Sequence, residues 1–142
     1  MRRSSRQEQQ PLFLFAGNLT FLCTAATTSS LCEAQGLTTF RYGYDGDSGN
    51  ISPANSSGAY HASELPLLLG TAGLFHGRST AYEDAVSINL QDLWLDFARD
   101  PQQGLQGAGW ESFEAGGAVL LGDSDMPLKA ITAQDLDGSC PL

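Results

Sequence analysis

The spacing of hydrophobic residues in the middle of the chain predicts a long amphipathic helix. Apolar side chains recur there at intervals of four, three and four: Val86, Leu90, Leu93 and Phe97. This spacing brings them onto one helical face. Thr80 and Glu83 have the spacing of a capping box, which marks a helix N-terminus, and Pro101 ends the pattern. We therefore predict a helix from about Thr80 to Asp100.

Other stretches show the patterns of strands and of a shorter helix. Aromatic residues occupy every second position at Phe40, Tyr42 and Tyr44, which predicts a strand over residues 38–44 with these side chains on one face. The apolar run 117–121, bounded by glycines, predicts a buried strand. Residues 25–35 predict a short helix that ends at Gly36.

The order of these elements indicates an α/β fold. A long loop rich in Gly, Asp, Asn and Ser, residues 45–58, follows the first strand, and the long helix and second strand come after it. The tail from Lys129 to Leu142 predicts a further strand followed by a polar end that carries a cysteine. In such an arrangement we expect the loop after a strand to carry the chemistry.

Composition and net charge limit the kinds of molecule that the chain is expected to bind. The 142 residues are 42% apolar and 16% charged, which is enough apolar material to bury a core. The net charge of −9, without any basic run, repels phosphate backbones, so nucleic acid is not an expected partner. The two most apolar stretches, residues 11–23 and 65–75, are too short to span about 20 residues of hydrocarbon core. No transmembrane segment is expected.

The cysteines indicate whether the chain could bind a metal, and the Asn-x-Ser/Thr triplets indicate whether it is secreted. Cys23, Cys32 and Cys140 have no C-x-x-C spacing and no histidine near them in sequence, so no metal site is expected. No cofactor is expected either. Three triplets read as N-glycosylation acceptors and favour a secretory origin, although chance in a Ser/Thr-rich chain explains them equally well: Asn18, Asn50 and Asn55. The polar spacer between the N-terminal arginines and the apolar stretch argues against a signal peptide.

Two fragments imitate hydrolase motifs. The Gly-Asp-Ser-Gly around Ser48 has no histidine before it, and the Gly-Asp-Ser around Ser124 has none after it, so both are interpreted as turns, the first of them solvated. No serine lies in a G-x-S-x-G elbow. Of the two histidines, His76 is assigned a structural or solvent-exposed role. His61 follows the first strand and its loop, and a lone histidine there is more often structural than catalytic.

The residues around His61 favour a catalytic role over a structural one. The block 58–70, GAYHASELPLLLG, resembles the histidine block of the type-B carboxylesterases, the family of cholinesterases and fungal extracellular lipases. The aromatic strand 39–44, the helix 90–101 and the tryptophan-bearing turn 109–113 are similar to family segments in the same order. The likeness runs from about Phe21 to Pro141 and is nearest to the fungal secreted branch. Thr24 and Ala62 depart from the Pro and Gly that the family commonly has there.

The resemblance implies that residues 18–142 are the C-terminal portion of an α/β-hydrolase, a partial mixed sheet with flanking helices, preceded by an extension of uncertain origin, residues 1–17. In this fold the triad follows the chain order serine, acid, histidine. His61 is then the triad histidine, while the serine and the acid have no counterpart in the sequence. We expect the chain to be inactive alone and to need the missing N-terminal part of the fold as a partner. Its substrate in the complete enzyme would be a carboxylic ester.

The resemblance also implies further roles. Glu64, three residues after His61, would share a face with it if the segment is helical, and a structural group supporting His61 is favoured over a substitute triad acid. Cys23 and Cys140 correspond to a disulfide of the family, which leaves Cys32 as a buried apolar residue of the first helix. The likeness to the fungal secreted branch of the family implies an extracellular location. A small non-catalytic secreted or interaction module derived from the same fold remains the alternative function.

Overall fold

A computed structural model of the chain describes residues 17–53, 58–124 and 126–140. The helices are α1 (Cys23–Ala34), α2 (Leu65–Leu68), α3 (Ala81–Arg99), α4 (Gly104–Gly107) and α5 (Ala133–Asp137). The strands are β1 (Tyr42–Tyr44), β2 (Gly117–Leu121) and β3 (Leu128–Thr132). A π-helical turn, Asn18–Leu22, leads into α1, and single 3-10 turns lie at Ala72–Leu74 and Phe113–Ala115.

The three strands form one mixed sheet in the order β1-β2-β3. β1 runs parallel to β2, with Tyr42 opposite Val119, and β2 runs antiparallel to β3, with Val119 opposite Ala130. Within the described ranges β1 is an edge strand. Helices together with a small mixed sheet agree with the α/β class that the order of elements predicts.

Helix α3 matches its sequence pattern closely. The Thr80 hydroxyl oxygen accepts the Glu83 N–H at 3.2 Å, and the Glu83 carboxylate accepts the Thr80 N–H at 2.6 Å, so the predicted capping box is present. Val86, Leu90 and Leu93 are buried as predicted. Phe97, at the C-terminal end of the same predicted face, is 44% exposed and contacts the Phe40 ring edge-on.

The core lies between the sheet and α3. It is a cluster of buried apolar side chains drawn from the loop after β1, from α2 to α4, from β2 and from the segments that connect them: Ile51, Leu67, Ala72, Val86, Leu90, Leu93, Leu105, Trp110, Val119 and Leu121. Helix α2 lies against α3, where the Ser87 hydroxyl donates to the Leu67 carbonyl at 2.6 Å. The burial of β2 fits its continuous apolar sequence, because side chains on both of its faces are covered.

The first strand is shorter than predicted. Only Tyr42–Tyr44 pair with β2, yet Phe40, Tyr42 and Tyr44 all pack against the core, so the predicted common face is correct. The predicted solvated turn at Ser48 is wrong in one respect, because Ser48 is buried and its carbonyl accepts the N–H groups of Ile51 and Ser52.

The C-terminal tail contains the predicted strand and, in addition, a helix that the pattern missed. Thr132 caps α5 with a second capping box, formed with Asp135. Leu136 of α5 lies over Gly43 in β1, where a Cβ atom would stand 2.7 Å from the Leu136 methyl carbon. Glycine at this position therefore permits the close approach of helix and strand.

Helix α1 ends as its sequence predicts. The Leu37 N–H donates to the Cys32 carbonyl at 3.0 Å and the Gly36 N–H to the Glu33 carbonyl at 2.8 Å, with Gly36 at φ 70°. This is a Schellman motif, whose left-handed residue favours glycine. Cys32 is half-buried, so the expectation of a buried residue is too strong. Its side chain lies on a helix whose neighbouring positions, Leu31 and Glu33, face solvent.

Two linkages join the N-terminal helix to the C-terminal segment. Cys23 and Cys140 form a disulfide across 117 residues, the same pair that the resemblance implies. Arg41 and Asp137 form a buried ion pair in which the guanidinium also donates to the Leu22 carbonyl at 3.4 Å. Both linkages meet near the residues that lead into α1.

Candidate functional site

His61 lies at the tip of a tight turn between β1 and α2. The Ser63 N–H donates to the Tyr60 carbonyl at 2.9 Å, and the Ser63 hydroxyl accepts the Tyr60 N–H at 3.2 Å. The Tyr60 hydroxyl donates to the Ile51 carbonyl at 3.1 Å, which joins the turn to the preceding loop. Ser63 is buried while His61 is exposed, so the turn directs the histidine to solvent.

The residue after the histidine has a strained backbone. Ala62 has φ 66°, and in the described part of the chain it is the only residue other than glycine with a positive φ. A turn closed by a hydrogen bond from Ser63 to Tyr60 puts Ala62 at the third position, where a positive φ favours glycine. The left-handed conformation costs an alanine about 1–2 kcal/mol. Strain of this kind is common at functional sites.

The imidazole of His61 touches one aromatic ring. The Phe21 ring lies with its centroid 4.7 Å from that of His61, at an interplanar angle of 31°. No hydrogen bond or ion pair joins His61 to another residue in the ranges that the structure describes. Phe21 belongs to the π-helical turn and is itself 54% exposed. The sequence does not predict this contact, because neither periodicity nor a motif distinguishes Phe21.

Glu64 is at the start of α2, where its carbonyl accepts the N–H groups of Leu67 and Leu68. Among the described residues its carboxylate makes no hydrogen bond with His61. Its charge acts instead on the tyrosines of β1. Burial raises the pKa of Tyr42 and of Tyr44, and the negative charge of Glu64 raises the pKa of each further. The carboxylate of Glu64 is therefore close enough to β1 to affect both phenols.

Ser48 and Ser124, the serines of the two hydrolase-like fragments, form no hydrogen bond with His61. Ser48 lines a cavity of about 180 Å³ with Tyr44 and Glu83, and the Ser124 hydroxyl donates to the Asp123 carboxylate at 3.3 Å. A more open groove of about 470 Å³ lies between α1 and the beginning of β1, with Phe21, Thr24 and Phe40 in its wall. His61 lines neither space.

The predicted glycosylation sites differ in their surroundings. Asn18 is half-buried, in the π-helical turn. The Asn50 amide nitrogen donates to the Ala72 carbonyl at 3.3 Å and its side-chain oxygen is buried, so Asn50 does not present a free amide to solvent. Asn55 lies outside the described residues, as does nearly all of the predicted extension 1–17.

The described residues hold neither a cluster of metal ligands nor a membrane-spanning helix. Residues 17–53, 58–124 and 126–140 contain no group of three or more His, Cys, Asp or Glu side chains arranged to hold a metal ion. Within these ranges, no helix combines the length and the apolar character that crossing a bilayer requires.

Comparison with known proteins gives two fungal relatives. Over 97 residues, 68% of this chain, the sequence is 43% identical to Secreted lipase 5 of Gibberella zeae and covers 18% of that protein. Over 68 residues, 48% of this chain, it is 53% identical to Chlorogenic acid esterase of Aspergillus niger and covers 13% of it. The chain therefore spans less than a fifth of the curated relatives that it matches, and its likeness is to part of a fungal esterase or lipase.

No model of a known protein family matches the sequence, and no solved structure matches it.

Proposed function

We propose that residues 18–142 are the C-terminal part of a secreted serine hydrolase of carboxylic esters, of the type-B carboxylesterase family, and that His61 is its triad histidine. The observation that carries the proposal is the exposure of His61 on a strained turn, with no described side chain bonded to its ring nitrogens. A general base needs such an accessible nitrogen. The names of the two relatives, a secreted lipase and an esterase, support the reaction class and the extracellular location.

The chemistry follows from the position of the imidazole. One ring nitrogen of His61 takes the proton of a serine hydroxyl as the oxygen attacks the ester carbonyl, and then returns it to the leaving alcohol. A carboxylate on the other ring nitrogen orients the ring. Because the triad of this fold follows the order serine, acid, histidine, both partners belong to an N-terminal part of the enzyme. The chain alone is therefore expected not to hydrolyse esters, and the reaction requires no metal or cofactor.

The open edge of β1 is the proposed junction with that N-terminal part. The Arg41 carbonyl accepts the Val119 N–H at 3.1 Å, and the Asp45 N–H donates to the Leu121 carbonyl at 2.9 Å. Alternate residues of a strand direct their main-chain groups to opposite neighbours, so those of Tyr42 and Tyr44 point away from β2. An unpaired strand edge readily accepts another strand. We assign this edge to the remainder of the hydrolase sheet.

Exposed apolar side chains near the N-terminal helix support the same junction. Leu31 and Leu37, in and just after α1, are largely exposed, and Phe21 lies at the groove beside β1. Large apolar side chains that face water in one region often mark an interaction surface. In the complete enzyme they would be covered by the same N-terminal part that pairs with β1.

A chimeric enzyme tests the role of His61. The segment of Secreted lipase 5 that contains the 97 matched residues is replaced by residues 18–142, and hydrolysis of a soluble chromogenic ester is measured. We expect an active chimera that His61→Ala inactivates by at least about a thousandfold in kcat. His76→Ala provides the matched control, because His76 is the other histidine of the chain and is exposed as well. Full activity of a folded His61→Ala chimera would contradict the proposal.

The alternative is a non-catalytic secreted or interaction module. Its support is that a disulfide joins the two ends of the described chain, and a buried ion pair joins Arg41 to Asp137, around a core of their own. An isolated chain that folds but does not restore ester hydrolysis to the N-terminal part of a relative would favour this module. Ester hydrolysis that appears only when the chain is co-expressed with the N-terminal part of the relative would favour the hydrolase fragment.

A further inference from the structure

The contact between Phe21 and His61 joins two segments that are distant in sequence. The rings lie 4.7 Å apart at 31°, and both side chains are exposed. An exposed imidazole on a turn can rotate about both of its side-chain torsions unless a neighbour restricts it. The Phe21 ring lies against the imidazole, so it restricts that rotation.

The backbone next to Phe21 is held by contacts that do not involve His61. The next residue, Leu22, accepts a hydrogen bond from Arg41 at 3.4 Å through its carbonyl, and Cys23 is joined to Cys140. Arg41 is buried and paired with Asp137. The backbone just after Phe21 is therefore tied to β1 and to the C-terminal segment, independently of the His61 turn.

We propose that Phe21 is a positioning residue for His61, whose ring holds the imidazole in the orientation that proton transfer requires. The role rests on the proposed function of His61 as the triad base. A small misplacement of a catalytic group lowers the rate strongly, because proton transfer depends on short and well-aligned contacts. Phe21 acts through its ring face and donates no hydrogen bond, so an aromatic residue can replace it and an aliphatic one cannot.

The isolated chain tests the contact without any assay of activity. An aromatic ring at this distance displaces the imidazole proton resonances, and His76 serves as an internal reference in the same spectrum. We expect Phe21→Leu to shift the His61 resonances and leave those of His76 in place, while Phe21→Tyr keeps the His61 positions. Leu19→Ala, a change on the same π-helical turn, is the matched control. Unchanged His61 resonances in folded Phe21→Leu would overturn the proposal.

The chimeric enzyme tests the consequence. We expect Phe21→Leu to lower kcat about tenfold with little change in KM, and Phe21→Tyr to restore most of it. A loss of activity in His61→Ala without any loss in Phe21→Leu would reject the positioning role and leave the function of His61 intact. Full activity of His61→Ala would instead reject the proposed function. Melting curves of each chimera show whether a loss of activity comes from unfolding. If Phe21→Leu destabilises the chimera, the activity of a stable Phe21→Tyr chimera decides whether the aromatic ring is required.

Discussion

Helix α3 and the turn that carries His61 are held in place by different means. The helix buries Val86, Leu90 and Leu93 and begins with a complete capping box. The turn leaves His61 exposed, contains an alanine in a glycine conformation and meets Phe21 through an exposed aromatic contact. Packing therefore determines the fold, while the candidate site rests on a few local contacts and on linkages to the chain ends. Changes in the two regions should separate stability from the geometry of the site.

Removal of the disulfide between the chain ends should cause the largest loss of stability. The disulfide between Cys23 and Cys140 closes a loop of 117 residues. In the chain-entropy model, replacing both cysteines by serine should lower the free energy of unfolding by about 5 kcal/mol. Urea denaturation followed by circular dichroism would measure it. Cys32→Ser, the matched change of the unpaired cysteine, should have a small effect. Equal urea midpoints for the double and the single variants would contradict the prediction.

Core truncation in α3 should have the next largest effect. Leu90 is fully buried in the cluster between helix and sheet, so Leu90→Ala removes apolar contacts and leaves a cavity. We expect a loss of about 3 kcal/mol in the free energy of unfolding. Leu95→Ala in the same helix is the control, since Leu95 is 50% exposed. If the comparison between the regions is right, Leu90→Ala leaves the His61 imidazole resonances of the folded protein unchanged.

The sequence predicts those parts of the fold in which local rules and packing agree. The period of α3, its capping box, the buried strand β2 and the glycine stop of α1 each appear as expected. Helix α5 was missed because its five residues are too few to show a period, although Thr132 and Asp135 have the spacing of a cap. β1 is shorter than its alternation suggests, because only three of its residues find a partner strand.

The candidate site is less accessible to such reasoning. His61 was singled out through the resemblance of the block around it, and no local rule distinguishes it from a structural histidine. Phe21 comes near it through tertiary packing over a separation of some forty residues, for which the sequence has no short-range signal. The positive φ of Ala62 is likewise invisible in a sequence, because alanine favours negative φ.

Removing the cap of α3 tests the packing-dominated region on a smaller scale. Thr80→Ala leaves the Glu83 N–H without its side-chain acceptor at the first turn of the helix. The free energy of unfolding should fall by about 1 kcal/mol. Thr80→Ser keeps a hydroxyl oxygen at the same place and should retain most of the stability. Thermal melts of the three proteins, at one pH and salt concentration, provide the measurement, and equal melting temperatures for Ala and Ser would count against the cap.

Relieving the strained turn should act in the opposite direction. Ala62→Gly removes the left-handed strain, about 1–2 kcal/mol, and adds about 0.5–1 kcal/mol of chain entropy to the unfolded state. We expect a net effect between about 0 and about 1.5 kcal/mol of stabilisation. Ala85→Gly, within α3 and at negative φ, should destabilise by about 1 kcal/mol. A loss of stability in Ala62→Gly would indicate that the positive φ is not a source of strain.

The smallest expected effect concerns the charge of Glu64. Burial first, and then Glu64, raises the pKa of Tyr42, and Glu64 also raises that of Tyr44. Because these pKa values are higher in the folded chain than the ordinary 10.0, folding stability falls as the pH rises above about 10. Glu64→Gln should lower both tyrosine pKa values in the folded chain and weaken this alkaline loss of stability.

A spectroscopic titration of tyrosinate absorbance in the folded chain measures the change, with Glu33→Gln as the control. Glu33 lies on the exposed side of α1 and is not among the groups that act on either tyrosine. A fall in both pKa values in Glu64→Gln alone would mean that the Glu64 charge faces β1, which favours the structural role over that of a substitute triad acid. Unchanged tyrosine pKa values, together with a shift of the His61 imidazole resonances, would favour the opposite assignment.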